Sequence, residues 1–174
     1  MMKNSKIKIV LTAVLFVLAV VQGNAQISKA EIVATGLTCS MCSNAINKQL
    51  KSMPEVESVS TDLNTNTFTV QLKANNTLTP KALKNSIEKT GFFIGSLVLT
   101  VDLGAVNGQE NEKVQNQSGT YVFVEKGKKP AGSLQIQVLN EGFVTKKEFK
   151  KSAKMLAKYA DVLGQENTYL VKSI

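Results

Sequence analysis

The sequence holds no histidine and no tryptophan, and among 174 residues only two cysteines, three prolines and three tyrosines. Without histidine there is no side chain whose ordinary pKa lies near neutrality, and the commonest nitrogen ligand of metal sites is missing. Most familiar hydrolase and metalloenzyme centres are thereby excluded. Aromatic residues make up only 6% of the chain, so a basic surface interleaved with stacking rings, the usual ground for single-stranded nucleic acid, is absent as well. No nucleic-acid partner is expected.

The charge is +8 overall, but part of it belongs to the first residues. Lys3, Lys6 and Lys8 form a basic start, Ile9 to Val21 is a thirteen-residue apolar run, and Gly23-Asn24-Ala25 ends in small residues. That order is the pattern of a signal peptide with cleavage before Gln26. A retained anchor is the other reading, but the run falls short of the roughly 20 residues of a spanning helix. No cysteine lies near the cleavage point to accept a lipid. The expectation is a periplasmic or secreted protein with no stable membrane span after cleavage, in a compartment where disulfides can form. Losing residues 1–25 removes three lysines and no acid, so +8 falls to +5, and 174 less 25 leaves 149 residues, enough for one domain or two small ones.

The two cysteines stand in Gly36-Leu37-Thr38-Cys39-Ser40-Met41-Cys42, after a strand-like run and before a helical pattern. Placed on a loop and the first turn of a helix, residues three apart can turn both sulfurs toward one ion, and the positive helix N-terminus favours their thiolates. Thiolates select soft ions such as Cu(I). Redox enzymes and zinc ribbons use the same spacing, so the motif alone leaves the chemistry open.

Around it the periodicity is legible. Ala30 to Thr35 predicts a strand ended by Gly36, and Ser40 to Ser52 a helix with Ala45, Ile46 and Leu50 on one face, stopped by Met53-Pro54. Val56 to Asp62 and Phe68 to Leu72 flank the turn Asn64-Thr65-Asn66 as a hairpin. A second helix follows, with Thr79 as cap, Pro80 at its first position, Leu83 and Ile87 on its apolar side, and Gly91 at its end. Phe92 to Leu103 supplies a last strand. The order β-α-β-β-α-β is that of ferredoxin-like α+β sandwiches, expected here with a carboxy-terminal mixed α/β extension.

The expected divisions are residues 1–25 as signal peptide, 29–103 as the first domain, 104–119 as a linker or loop rich in Asn, Gln and Gly, and 120–174 as an α/β extension of unknown role. In that extension Tyr121 to Glu125 and Leu134 to Leu139 predict strands, Thr145 to Glu148 a capping box, Phe149, Ala153, Leu156, Ala160 and Leu163 an apolar helical stripe, and Thr168 to Val171 a final strand. The helix bears Lys146, Lys147, Lys150, Lys151, Lys154 and Lys158 on its other side. Such a face is usually solvated; a dock for an acidic partner or for anionic lipid is the alternative. A metal domain complete near residue 101 predicts a separable extension, unless Leu97 to Leu103 pairs with Tyr121 to Glu125 in one sheet.

The cysteine motif, together with Val56-Glu57-Ser58-Val59, Asn66 to Val70 and Lys89-Thr90-Gly91-Phe92 at matching intervals, resembles the heavy-metal-associated domain family. That family includes copper chaperones, amino-terminal domains of copper-transporting P-type ATPases and the periplasmic mercury-binding protein. The resemblance covers about seventy residues. It implies that Cys39 and Cys42 are the metal ligands and that Phe92 shields the site, with Leu37 in place of the family's usual methionine, filling similar space. Zinc- and cadmium-specific relatives tend to carry an acid where this chain has Thr38.

Two thiolates complete a near-linear site for Cu(I), Ag(I) or Hg(II) but leave zinc two ligands short of its tetrahedron. No Asp or Glu occurs between Glu31 and Glu55 to make up the difference. The expected ranking is Cu(I), then Hg(II), then zinc, with Met41 and Met53 as ordinary residues rather than thioether ligands. The expected function is a Cu(I) carrier or sequestering protein without turnover chemistry, exchanging metal with a protein partner. The alternatives are a mercury-binding protein and a thiol-disulfide oxidoreductase with Cys39 as nucleophile. The chain lacks the thioredoxin pattern, and a structural disulfide closing so small a loop would add little stability.

Overall fold

In the computed structural model the described residues are 26–102, 109–127 and 133–174. The signal segment 1–25, and residues 104–108 of the expected linker, lie outside them.

Strand β1 (Ile27–Thr35) alternates, with Ala30, Ile32 and Ala34 buried on one side. Helix α1 (Ser40–Lys51) follows, buried through Ser43, Ile46 and Leu50. Ala45, expected on that face, is exposed, and Ser43 holds its place because it lies three residues before Ile46, on the same stripe. Strands β2 (Val56–Asp62) and β3 (Thr67–Leu72) form the hairpin, whose turn places Asn66 at φ 54°. Helix α2 (Pro80–Glu88) begins where the Thr79 hydroxyl accepts from Ala82 N–H at 3.1 Å and Pro80 needs no partner. It buries Leu83, Ser86 and Ile87. After Gly91, at φ 84°, comes β4 (Phe93–Val101). Phe92 lies just before that strand rather than in it.

These strands pair in the order β2-β3-β1-β4, all antiparallel, as a ferredoxin-like unit requires. The sheet does not stop there. Strands β5 (Lys113–Asn116), β6 (Gly119–Phe123), β7 (Leu134–Val138) and β8 (Thr168–Ser173) carry it on as β4-β7-β8-β6-β5, eight strands in one sheet. Lys113–Asn116, expected as linker, is a strand because half-buried Val114 supplies an inward residue and Asn116 organises the turn, its side-chain oxygen accepting from Ser118 and Gly119 N–H at 2.8 and 3.1 Å. The last strand of the ferredoxin-like unit pairs with Leu134–Gln137, not with Tyr121–Glu125.

Two cores sandwich the sheet. On one face α1 and α2 enclose Phe68, Ile87 and Leu97, and the same cluster runs on into Tyr121, Ile136, Phe143, Tyr169 and Val171. On the other, α3 (Lys146–Leu156), a 3-10 turn (Ala157–Tyr159) and α4 (Ala160–Leu163) cover Val122, Val124 and Leu170. The expected stripe is displaced there. Ala153, within α3, is exposed; beyond Leu156 the tighter 3-10 turn resets the period, so that Tyr159 and Val162 are buried and Ala160 is exposed. Among the described residues no helix is long and apolar enough to cross a membrane.

Candidate metal centre

The site begins with backbone geometry. Gly36 takes φ 87°, a conformation costly for any residue with a Cβ, and turns the chain out of β1. Leu37 then folds back against the core, half-buried, as its volume leads one to expect. Thr38, Cys39, Ser40 and Met41 are left exposed, and Cys42 is half-buried.

Cys39 is the N-cap of α1, extended at φ −154° and ψ 160°, and its side chain makes no capping bond to the helix. Cys42 N–H donates to Cys39 O at 3.1 Å, closing the first turn so that both side chains leave the same side. Their sulfurs lie 2.9 Å apart, as free thiols. The hydrogen bond from the Cys39 side chain holds the Cys42 thiol below its ordinary pKa, against the weaker opposing effect of desolvation and with smaller help from Thr38 and the Cys39 backbone. No acidic residue occupies the first turn of α1 to oppose a thiolate there.

A cleft of about 300 Å³ flanks Cys39, walled by Leu37, Leu63 and Asn66. Phe92 is half-buried against the core beneath the loop, and a side chain at Gly36 would come within 3.7 Å of its ring. Met41 is 80% exposed. Met53 packs half-buried beyond the far end of α1, a twelve-residue helix of roughly 18 Å, and so stands apart from the sulfurs. Among the described residues no three Cys, Asp or Glu side chains gather as a metal cluster. Exposed Leu63 was not foreseen at the site; it arrives through the β2–β3 turn, and only the pairing of β3 with β1 brings that turn beside the loop.

A ferredoxin-like unit with an exposed dithiol at the end of its sheet defines the class. Residues 32–93 match the model of the heavy-metal-associated domain, and through them the chain belongs to that family. A yeast copper transporter domain, Ccc2a, solved in the apo and Cu(I)-loaded states, is 34% identical over 37% of this chain and 88% of its own, with a TM-score of 0.35. The copper-binding domain of HMA7, a P-type ATPase, is 31% identical over 37% of this chain and 86% of its own, at 0.35. The Atx1–Cu(I)–Ccc2a complex contributes a chain 34% identical over 37% of this one and 88% of its own, at 0.34. Comparison with curated proteins gave no match.

Proposed function

We propose that this protein binds a single soft metal ion, Cu(I) foremost, between Cys39 and Cys42, and carries or sequesters it without turnover chemistry. The observation that carries the reading is the pair of free thiols in contact on an exposed helix N-terminus. Metal binding by relatives such as the Cu(I)-loaded yeast domain supports it. Two metal–sulfur bonds of roughly 2.3 Å each need more than the 2.9 Å between the sulfurs, so the pair opens to admit the ion. Exposed Cys39 is free to do this. The metal is cargo: a partner thiolate enters the open side of a two-coordinate ion, a three-coordinate intermediate forms, and the ion leaves by ligand exchange. The Atx1–Cu(I)–Ccc2a complex is a related chain caught with a protein partner. Hg(II) and Ag(I) fit the same two sulfurs, whereas zinc lacks two ligands. The basic and apolar start of the sequence supports work outside the cytoplasm, in the periplasm or secreted.

A second reading, thiol-disulfide exchange, draws on the lowered pKa of Cys42. The nucleophile of that reading, Cys39, is exposed and within reach of a substrate disulfide, but the chain lacks the thioredoxin pattern. Titrating the reduced protein, freed of residues 1–25, with Cu(I) against a chromogenic chelator is expected to give one ion per chain. Cys39→Ser and Cys42→Ser should each abolish tight binding while circular dichroism stays unchanged. Undiminished affinity in the double variant would sink the proposal, and rapid reduction of insulin disulfides would favour the exchange reading.

A further inference from the structure

Among the described residues four large apolar side chains stand exposed: Met41 at 80%, Leu63 at 57%, Phe93 at 63% and Ile174 at 58%. The first three belong to the cysteine end of the sheet. Phe93 differs from the other two because it opens onto a groove that the extension builds. Thr145 N–H donates to Gly95 O at 3.1 Å, and Val144 bridges Ser96, which brings the first turn of α3 beside the start of β4. Between them lies a groove of about 720 Å³, with Phe93, Val144 and Phe149 among its apolar walls and Lys146 and Lys150 at its rim.

The helix above the groove is rich in unpaired cations. Lys146, Lys147, Lys150, Lys151, Lys154 and Lys158 are all exposed, and among the described residues none makes an ion pair. Of these, Lys146 and Lys150 line the groove, against Glu141 in its wall; the other four belong to the same stretch of chain, with Glu148, whose carboxylate accepts from the Thr145 hydroxyl at 3.3 Å, and Asp161. Two cations against one acid leave a positive surplus beside the apolar walls.

We propose that this groove docks an acidic segment, with an apolar anchor side chain, belonging to the protein that exchanges metal with Cys39 and Cys42. The proposal rests on the dithiolate reading above. Charge complementarity selects the occupant: unpaired lysines call for carboxylates, and a second copy of a chain at +5 without residues 1–25, which carry three of the +8 charges, is repelled. A flat lipid surface would meet the lysines but could not reach Val144, which is 6% exposed in the groove. Thr35 lines the groove four residues before Cys39, so a segment held there keeps the partner's thiols close to the loop and raises their effective concentration. The extension would thereby select the partner while the ferredoxin-like unit holds the metal.

The test uses the whole reduced chain without residues 1–25, isotopically labelled, and a short synthetic peptide of Asp and Glu around a central Phe-Leu pair. Its amide shifts are expected at Phe93, Val144 and Phe149. Affinity should fall about tenfold in Lys146→Glu/Lys150→Glu, and also when Asn and Gln replace the peptide's acids or Ala its Phe-Leu pair. A lysine-rich peptide should gain binding to the reversed variant, whose Cu(I) uptake stays normal. Absence of binding, equal binding of the neutral peptide, shifts away from the groove, preferential binding to phosphatidylglycerol vesicles, or a dimer closed through the groove would each overturn the proposal. Cu(I) uptake reports separately: its failure in the unaltered chain removes the metal-exchange role while the peptide shifts still report on the groove.

Discussion

Two thiols in contact favour a thiolate, because one can donate a hydrogen bond to the other's sulfur. The Cys39 hydrogen bond depresses the Cys42 pKa from an ordinary value of 9.0, with desolvation as the next and opposing influence. A group that is more acidic folded than unfolded binds fewer protons in the native state between its two pKa values, so folding stability rises with pH across that interval. The contribution is present above pH 9.0 and is lost as pH falls through the folded Cys42 value. The melting temperature of the reduced apoprotein is accordingly expected to climb as pH approaches 9.0 from below, and Cys39→Ala to flatten the climb by removing the donor. An equal slope in that variant would show that Cys39 does not set the Cys42 proton. The cysteines were legible from spacing alone; the lowering of the Cys42 pKa was not, because it depends on a 2.9 Å contact.

Among the elements, the β5–β6 hairpin is the one the sequence concealed. Its polar letters, Asn116-Gln117-Ser118-Gly119, describe a linker as readily as a turn. What makes it a hairpin is the slot beside β8. Gly119 takes φ 140°, where a Cβ would stand 2.5 Å from Asn167 O and 2.8 Å from the Tyr169 ring, while Thr120 N–H donates to that same Asn167 O at 2.8 Å. Gly119→Ala is expected to cost on the order of 2 kcal/mol or more, read as a lower urea midpoint at unchanged slope. Wild-type stability in that variant would mean that the turn is not pinned against β8. The apolar stripe of α3 failed for a related reason: a helical period of 3.6 holds only while the helix does, and the 3-10 turn at Ala157–Tyr159 resets it so that Tyr159 and Val162 point inward.

Over the whole molecule, one sheet and one continuous core join the ferredoxin-like unit to its extension. Val98–Val101 pairs with Leu134–Gln137, and Tyr169 accepts from Lys81 N–H of α2 through its hydroxyl at 3.2 Å. Ile136, Tyr169 and Val171, none more than 3% exposed, belong to the same cluster as Leu83 and Ile87. The separability expected from the sequence is therefore revised. A chain shortened to end near Val106 leaves β4 as a bare edge and strips that cluster, at about 2 kcal/mol for each large side chain whose burial is lost, a heavy toll on a stability of typically 5–15 kcal/mol. Its melting temperature is expected to drop steeply, with Cu(I) taken up only by the folded fraction. A shortened chain that melts like the full one and binds Cu(I) equally well would establish independent modules.

The β-α-β-β-α-β order and the cysteine pair could be read along the chain, because both are written in short-range terms: two periodicities, a cap at Thr79, and glycines at turns. That β4 meets β7, that Leu63 and Phe93 join the cysteine end, and that α3 raises a groove with Lys146 and Lys150 beside it became visible once the chain was folded. These are contacts between residues far apart in the chain. An alternating strand states which of its faces is buried, but its edge hydrogen bonds are the same for every partner, so pairing is settled by how the two cores pack on either side of the sheet.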